Sequence, residues 1–590
     1  MSVQKAAETG RNSPGQTLGD SPHRHRPETG QAMPRNVSRR DFLNVLGASI
    51  GAAYASRSQA GGPVRPHRGR RATRVNDAPN VLLIYSDQHR YDCLGVAGHP
   101  DIRTPHIDAI AADGVWYPNS YCCSNVCTPS RYSLLTGLYV HQHGGRGNRS
   151  TLPPGIPAFP RILRDAGYDT AAVGKMHFTP TYLDVGFSRM TLAEQDGSGR
   201  YVDDYHAWLM QNGVIDGLDA IDQIAEYRNR APQEYWDSFG TQVSELGEEL
   251  HSTTWIAEQA LAEISSWQPG RRRLLMIGFI KPHHPFDPPA NWADRYDPAA
   301  LRLPGGWIDE PLARDLALSS GYFPFSRLNE RRLRKIMAYY FALISQIDHQ
   351  VGRIVALLKK KGAYENTMIV YTADHGEYLG YHHLLLKDGP LYDPIVRVPL
   401  AIKFPGGARA GEIHPGQVTS LDVTASILAA CSAGYPVNPL LPVNPPGLDL
   451  ANPRVDHKTV FAERWEATQR SVASGDYAAL LGKGGGLTSF MARTRKHKLL
   501  FDRNDARTLL FDLEEDPFEM TNRFGDDGFS DVAAELRERI VDWAVFANPA
   551  PMHTDASARQ ISGAHEARLR DEYVAKAKRY VRRKLQDKLE

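Results

Sequence analysis

Four continuous apolar runs, each ending in a cluster of charged or imidazole side chains, constrain this chain more than any other feature. Val81-Leu82-Leu83-Ile84-Tyr85 leads into Ser86-Asp87-Gln88-His89, and Asp169 to Val173 leads into Gly174-Lys175-Met176-His177. Leu274 to Ile280 leads into Lys281-Pro282-His283-His284-Pro285, and Thr367 to Tyr371 into Thr372-Ala373-Asp374-His375-Gly376-Glu377. A strand with no polar face belongs in a parallel sheet covered by helices on both sides. Helical patterns over Phe159–Ala166, Ser252–Ser266 and Leu333–Lys360, the last long and amphipathic, supply the covers. Open α/β sheets place their sites just beyond the C-terminal strand ends. The expected fold is therefore α/β, with four strand ends delivering Asp87/Gln88, Lys175/His177, His283 and Asp374/His375 to one sheet edge. Oxygen donors such as Asp87, Gln88 and Asp374 suit a hard divalent cation, and His375 softens that set slightly.

The segment Cys127-Thr128-Pro129-Ser130-Arg131-Tyr132-Ser133-Leu134-Leu135-Thr136-Gly137 lies between the first two runs. Pro129 suits a first helical position, and Gly137 suits a C-terminal stop. A short helix over Ser130–Leu135 is expected, with Cys127 at its N-terminus, where the dipole and free N–H groups favour an anion. Arg131, one turn in, adds a cationic fork. A lone cysteine is ordinarily a small packing residue, so the segment acquires meaning only from its longer pattern.

That pattern, Cys-x-Pro-Ser-Arg-x-x-x-Leu-Thr-Gly, matches the signature of the sulfatase family at every specified position. The chain resembles a sulfatase over about residues 78 to 525, particularly bacterial arylsulfatases and choline sulfatases, some of which carry Gly-Lys-Met-His where most members have Gly-Lys-Trp-His. The resemblance implies an alkaline-phosphatase-like architecture: a large, mostly parallel central sheet flanked by helices, and a smaller C-terminal antiparallel sheet with a helix. It implies that Cys127 is oxidised to formylglycine, whose hydrate attacks sulfur. It makes Asp87, Gln88, Asp374, His375 and the modified Cys127 ligands of one divalent cation, Ca²⁺ first and Mg²⁺ or Mn²⁺ as alternatives. Arg131, Lys175 and Lys387 would neutralise the sulfate. His283, rather than His284, would protonate the leaving alcohol, and His177 would take the proton that lets sulfate depart. His141-Gln142-His143-Gly144 reads as a His- and Gly-rich loop, in which His143-Gly144 corresponds to a family His-Gly, and Asp516-Pro517-Phe518-Glu519 corresponds to the usual C-terminal ending.

Two rivals remain open at this point. Phosphonate or phosphate ester hydrolases of the same superfamily share the Asp-Gln and Asp-His pairs but generally lack the Lys-x-His. A non-catalytic sulfoglycan-binding protein would need a broken site, and no expected position is vacant. The substrate, a carbohydrate or small-molecule sulfate ester, is not named by the sequence. Residues 180 to 250 read as an irregular insertion where substrate choice would lie.

Residues 1–60 read as a disordered leader followed by a twin-arginine signal, Ser38-Arg39-Arg40-Asp41-Phe42-Leu43, whose apolar run is too short to be a stable membrane anchor. Residues 61–77 read as a linker, 78–455 as the catalytic domain, 456–546 as an α+β subdomain and 547–590 as a charged helical tail suited to solvent or a homo-oligomer contact. The leader carries eight Lys/Arg against four Asp/Glu, so a mature chain would fall from +2 to near −2. That charge gives no reason to expect a nucleic acid. The expected partners are a formylglycine-generating enzyme and the twin-arginine export machinery, and the expected location is periplasmic or secreted. Cys93, Cys122, Cys123, Cys127 and Cys431 form no disulfide framework.

Overall fold

The computed structural model describes residues 78–465, 488–547 and 571–589, apart from 154, 196–198, 319–321, 388, 436–444 and 503. The expected leader, signal and linker lie outside the described residues. The strands in chain order are β1 (Asn80–Asp87), β2 (Val115–Trp116), β3 (Ser120–Tyr121), β4 (Asp169–Gly174), β5 (Arg189–Leu192), β6 (Arg273–Pro282) and β7 (Thr367–Ala373). They continue with β8 (Leu400–Lys403), β9 (Glu412–Ile413), β10 (Val418–Thr419), β11 (Val460–Arg464), β12 (Ser489–Arg493), β13 (His497–Asp502) and β14 (Leu509–Asp512). The helices that matter for the site are α1 (Cys127–Thr136), α2 (Val140–His143), α3 (Gly217–Gln223), α4 (Ser252–Ser265), α5 (Glu330–Lys360), α6 (Ser420–Ala430), α7 (Ser530–Val541) and α8 (Asp571–Leu589).

Eight strands form one sheet in the order β5-β4-β6-β1-β7-β8-β2-β9. The run from β5 to β7 is parallel throughout, while β8 is antiparallel to both of its neighbours. The four apolar runs of the sequence are thus four adjacent strands, β4-β6-β1-β7. Alternation along β1 divides two cores: Val81, Leu83 and Tyr85 pack with Leu134 and Leu135 of α1 and Val423 and Ile427 of α6. Leu82 and Ile84 pack on the other face with Ile256 and Ala260 of α4 and Val351 and Ile354 of α5. A separate antiparallel meander, β11-β12-β13-β14, carries α7 on one face through Leu536 and Ile540.

The two sheets are joined by a buried ion network. Asp393 takes both Arg493 Nε and Nη2 at 3.0 Å and Lys498 Nζ at 2.9 Å, and Lys498 also meets Glu519 at 2.7 Å. Glu519 further accepts the Asp393 N–H at 2.8 Å and the Tyr381 hydroxyl at 3.1 Å. The Asp-Pro-Phe-Glu ending therefore anchors the small sheet to the large one.

Three expectations change. The 180–250 region is not a strandless insertion: it contributes edge strand β5 and several short helices, because Met190 and Leu192 pack into the sheet core. The histidines after Gly137 sit on the short helix α2 rather than in a loop, closed by Gly144 at φ 73°. The tail helix α8 packs on this same chain, with Leu585 buried and the Tyr580 hydroxyl donating to the Val214 carbonyl at 3.2 Å. Among the described residues no helix is long and apolar enough to cross a membrane.

Candidate active site

The sequence-predicted residues meet at the C-terminal edge of β4-β6-β1-β7, where α1 begins. The helix starts three residues before the expected Ser130, with Val126 as N-cap and Cys127 in its first turn. Pro129 is tolerated at the third position because that N–H has no intrahelical partner either. The helix end offers an anion less than the sequence suggested. The Thr128 N–H goes to Asn148 Oδ1 at 3.2 Å, Pro129 has none, and the Ser130 N–H already closes on the Val126 carbonyl at 3.0 Å. Positive charge at the site comes instead from side chains.

Arg131 is fully buried, and all three guanidinium nitrogens are engaged. Nη2 meets Asp87 Oδ2 at 2.9 Å, Nε meets Asp374 Oδ2 at 3.0 Å, and Nη1 donates to the Lys175 carbonyl at 2.6 Å. Its geometry is that of a clamp on two carboxylates and a strand end, rather than of a free cation facing the opening. The cations with donors to spare are Lys175 and Lys387, both buried. Lys175 Nζ lies 2.7 Å from Asp87 Oδ2 and 3.2 Å from Gln195 Oε1. Lys387 Nζ lies 2.9 Å from Cys127 Sγ and 3.0 Å from His375 Nε2. Each ammonium has three protons, so each retains one for a further acceptor.

Ligand atoms of Asp87, Cys127, Asp374 and His375 all lie within 4.8 Å of one another, and all four residues are buried. His375 Nδ1 faces the Gly376 carbonyl at 3.0 Å, which assigns the N–H there and leaves the Nε2 lone pair facing Cys127 Sγ at 3.2 Å. Gln88, at φ 64°, donates its backbone N–H to Asp374 Oδ1 at 3.0 Å. Its side-chain Nε2 is bound by Glu377, which leaves Oε1 buried with no hydrogen-bond partner. An orphaned buried amide oxygen beside two carboxylates and an imidazole lone pair is a donor set that fits a hard divalent cation.

Electrostatics follow from the crowding. Burial pushes the Asp87 carboxyl up, but Lys175, His283, Lys387 and Arg131 outweigh it and hold it well below the usual range. Burial and Asp87 push the Cys127 thiol up, while Lys387 and His375 oppose them, and the thiol falls well below its ordinary value. Burial, with Lys387, Lys175 and His284 nearby, drives His283 well below its ordinary value, so the free imidazole is neutral. Its Nδ1 faces the His284 carbonyl at 2.8 Å, which directs Nε2 elsewhere. His284 is held by Asp222 Oδ2 at 2.5 Å, a structural pairing.

His177 departs from the extended geometry that alternation with Lys175 predicts. Its φ is 59°, its N–H meets both oxygens of Glu194 at 3.0 and 3.1 Å, and its carbonyl accepts from Thr128 Oγ1 at 2.9 Å. Met176 also donates its N–H to Glu194 at 3.0 Å while its side chain sits in the sheet core, which accounts for an apolar residue at this position. Sequence reading missed Glu194, Gln195 and Glu377. Glu377 ties β7 to Lys387 by accepting the Leu379 and Leu386 N–H groups at 3.0 and 2.5 Å. Gln195 Nε2 donates to Asp219 of α3 at 2.6 Å and to the His284 carbonyl at 2.8 Å, which aims Oε1 at Lys175. Only Glu377 had a local signal, since it closes the Asp374-His375-Gly376-Glu377 string. All five cysteines are free.

Residues 79–433, more than half of the chain, match the family model described as Sulfatase. The chain belongs to the sulfatase family. It is 28% identical over 491 residues to an arylsulfatase of Clostridium perfringens, a match covering 78% of this chain and 94% of that protein. It is 28% identical over 464 residues to a choline-sulfatase of Rhizobium meliloti, covering 75% and 82% respectively. In fold, this sulfatase-family chain is similar to a phosphonate monoester hydrolase from Silicibacter pomeroyi, with a TM-score of 0.63, 23% identity, and coverage of 82% and 99%.

Proposed function

We propose that this sulfuric ester hydrolase cleaves sulfate monoesters through a formylglycine made from Cys127, with a divalent cation, Ca²⁺ first and Mg²⁺ or Mn²⁺ as alternatives, held by Asp87, Gln88, Asp374, His375 and position 127. The observation that carries the reading is the placement of Cys127 Sγ between His375 Nε2 at 3.2 Å and Lys387 Nζ at 2.9 Å. The cation would supply charge neutralisation at the sulfate oxygens, and the aldehyde hydrate a nucleophilic hydroxyl. Lys175 and Lys387 each direct a remaining N–H at the sulfate, held there by Asp87 and Gln195 on one side and by His375 on the other. Arg131 keeps Asp87 and Asp374 in one orientation, which is a positioning task.

His283 is suited to the leaving alcohol. Burial and its cationic neighbours make the imidazolium a strong acid, and an arriving sulfate anion opposes those cations and favours the protonated form. His177 is the candidate for removing the second hydroxyl proton of the hydrate, which restores the aldehyde and releases sulfate. The Lys-x-His pair formed by Lys175 and His177 after β4 favours this reading over phosphonate ester hydrolysis. The test is direct: purified protein is assayed against 4-nitrophenyl sulfate and a phenylphosphonate ester. Faster sulfate release supports the reading, and turnover of the phosphonate alone overturns it. Modification by a formylglycine-generating enzyme before twin-arginine export to the periplasm completes the proposal. A fusion of residues 1–77 to a reporter tests export, and retention in the cytoplasm would contradict it.

A further inference from the structure

A cation stands at the edge of the site that the mechanism does not use. Arg146 is exposed, and its guanidinium carbon lies 4.1 Å from the ring centroid of half-buried Trp465. Arg146 makes no ion pair among the described residues. The loop presenting it is pinned to the nucleophile helix. Asn148 Oδ1 takes the Thr128 N–H at 3.2 Å, the Asn148 carbonyl takes Thr179 Oγ1 at 3.3 Å, and the Ser150 carbonyl takes the Tyr132 hydroxyl at 3.2 Å. Asn148 is two residues from Arg146 and Thr128 is next to Cys127, so the loop carrying Arg146 runs beside the start of α1.

Trp465 is equally well fixed. Its Nε1 donates to Glu463 Oε2 at 2.6 Å, and Glu463 is buried and paired with His141 Nδ1 at 2.7 Å. The neighbouring Arg464 donates to the Gly389 carbonyl at 2.5 Å, two residues past Lys387. The loop carrying Arg146 is thus tied to α1 beside Cys127, and the chain leading into Trp465 is tied beside Lys387. A buried anion cannot be what Arg146 serves, since Glu463 is already satisfied by His141 and Trp465. A guanidinium stacked on an indole loses little rotamer freedom on binding and suits an oxyanion that accepts two N–H bonds at once.

Resting on the sulfate ester hydrolase reading, we infer that Arg146 and Trp465 form a subsite for a second anionic group on the substrate, a carboxylate or an additional sulfate on a sugar. The same charge disfavours a substrate whose alcohol part is a quaternary ammonium. The test compares N-acetylglucosamine 6-sulfate, N-sulfoglucosamine 6-sulfate and choline sulfate on the wild type, Arg146→Gln, Arg146→Lys and Trp465→Ala. The wild type is expected to favour the disulfated sugar over its monosulfated partner by about tenfold or more in kcat/KM, and over choline sulfate by more. The preference should shrink with added salt, as screening requires. Arg146→Gln and Trp465→Ala should bring the ratio between the two sugars near unity, and Arg146→Lys should keep part of it. Equal rates on the two sugars by the wild type, or an unchanged ratio in Arg146→Gln, overturn the inference alone. No sulfate release from any ester overturns the hydrolase reading itself.

Discussion

Lys387 Nζ lies 2.9 Å from Cys127 Sγ, across 260 residues of sequence, and the same ammonium reaches His375 Nε2 at 3.0 Å. One cation thus faces both the cysteine proposed to become formylglycine and a candidate metal ligand.

Cys127→Ala should lower turnover of 4-nitrophenyl sulfate by about a thousandfold or more while leaving the melting curve close to wild type, since the thiol packs against polar groups rather than in a core. In the active wild type, the peptide carrying residue 127 should be about 18 Da lighter than its cysteine form, because CH₂–SH becomes CH=O. Full activity in the variant, or an unmodified thiol in active protein, refutes the assignment.

Arg131→Ala should be far more damaging to the fold. It leaves Asp87 and Asp374 without their shared clamp in a fully buried setting, and losing one partner of such a group costs about 3–5 kcal/mol. Denaturant unfolding of chelated wild type and variant measures this. A difference under about 1 kcal/mol would show that the clamp is dispensable.

Gln195→Ala removes an oxygen that holds Lys175 and two donors that fix the His284 carbonyl and Asp219. A freed ammonium should bind sulfate less well, so KM should rise by about tenfold with a smaller change in kcat, in line with about 1–3 kcal/mol for a lost buried hydrogen bond. A fall in kcat at constant KM would place Gln195 elsewhere in the mechanism.

Chelation should abolish turnover, and Ca²⁺, Mg²⁺ or Mn²⁺ should restore it to different extents. The oxygen-rich donor set predicts recovery with Ca²⁺, and recovery confined to Zn²⁺ would mean that His375 and softer ligands dominate. Binding should also raise the melting temperature, by mass action on the folded state.

Stability should fall as pH drops below about 6.5. His143 and His251 are buried, chiefly by desolvation, with values pulled down to about 3. Each is depressed relative to the unfolded chain, so its contribution is present above the unfolded value near 6.5 and is lost as pH falls toward 3, at up to about 1.4 kcal/mol per pH unit. Asp348, pushed up to about 7 by burial, acts oppositely by favouring the protonated folded form. His89, lowered to about 4, acts with those two histidines, and Asp216, raised to about 6, acts with Asp348; three groups against two leave a net loss on acidification, measurable as urea midpoints at pH 7.5, 6 and 5. A midpoint that rises on acidification would contradict it.

Much of the site was legible because strand burial is written locally. Val81–Tyr85 and its three counterparts are apolar on both faces, and such runs end where polar residues begin, so Asp87, Lys175, His283 and Asp374 could be placed at strand ends before any coordinates. The start of α1 was less legible. Pro129 is compatible with several first-turn positions, and the N-cap Val126 has no side-chain signal. His177 was misjudged because a left-handed backbone at a non-glycine residue is stabilised by Glu194 from the following strand region, and alternation cannot encode that.

By itself the sequence determined the α/β class, the four converging strand ends and the family signature around Cys127, because each depends on residue type at short range. Only the tertiary structure decided that Arg131 clamps two carboxylates, that Glu194 and Gln195 support Lys175 and His177, and that Arg146 rests on Trp465. Those relationships join segments far apart in the chain. A Gln or Glu in a polar stretch looks the same whether it faces solvent or a buried lysine, and only the routing of the chain over the sheet separates the two.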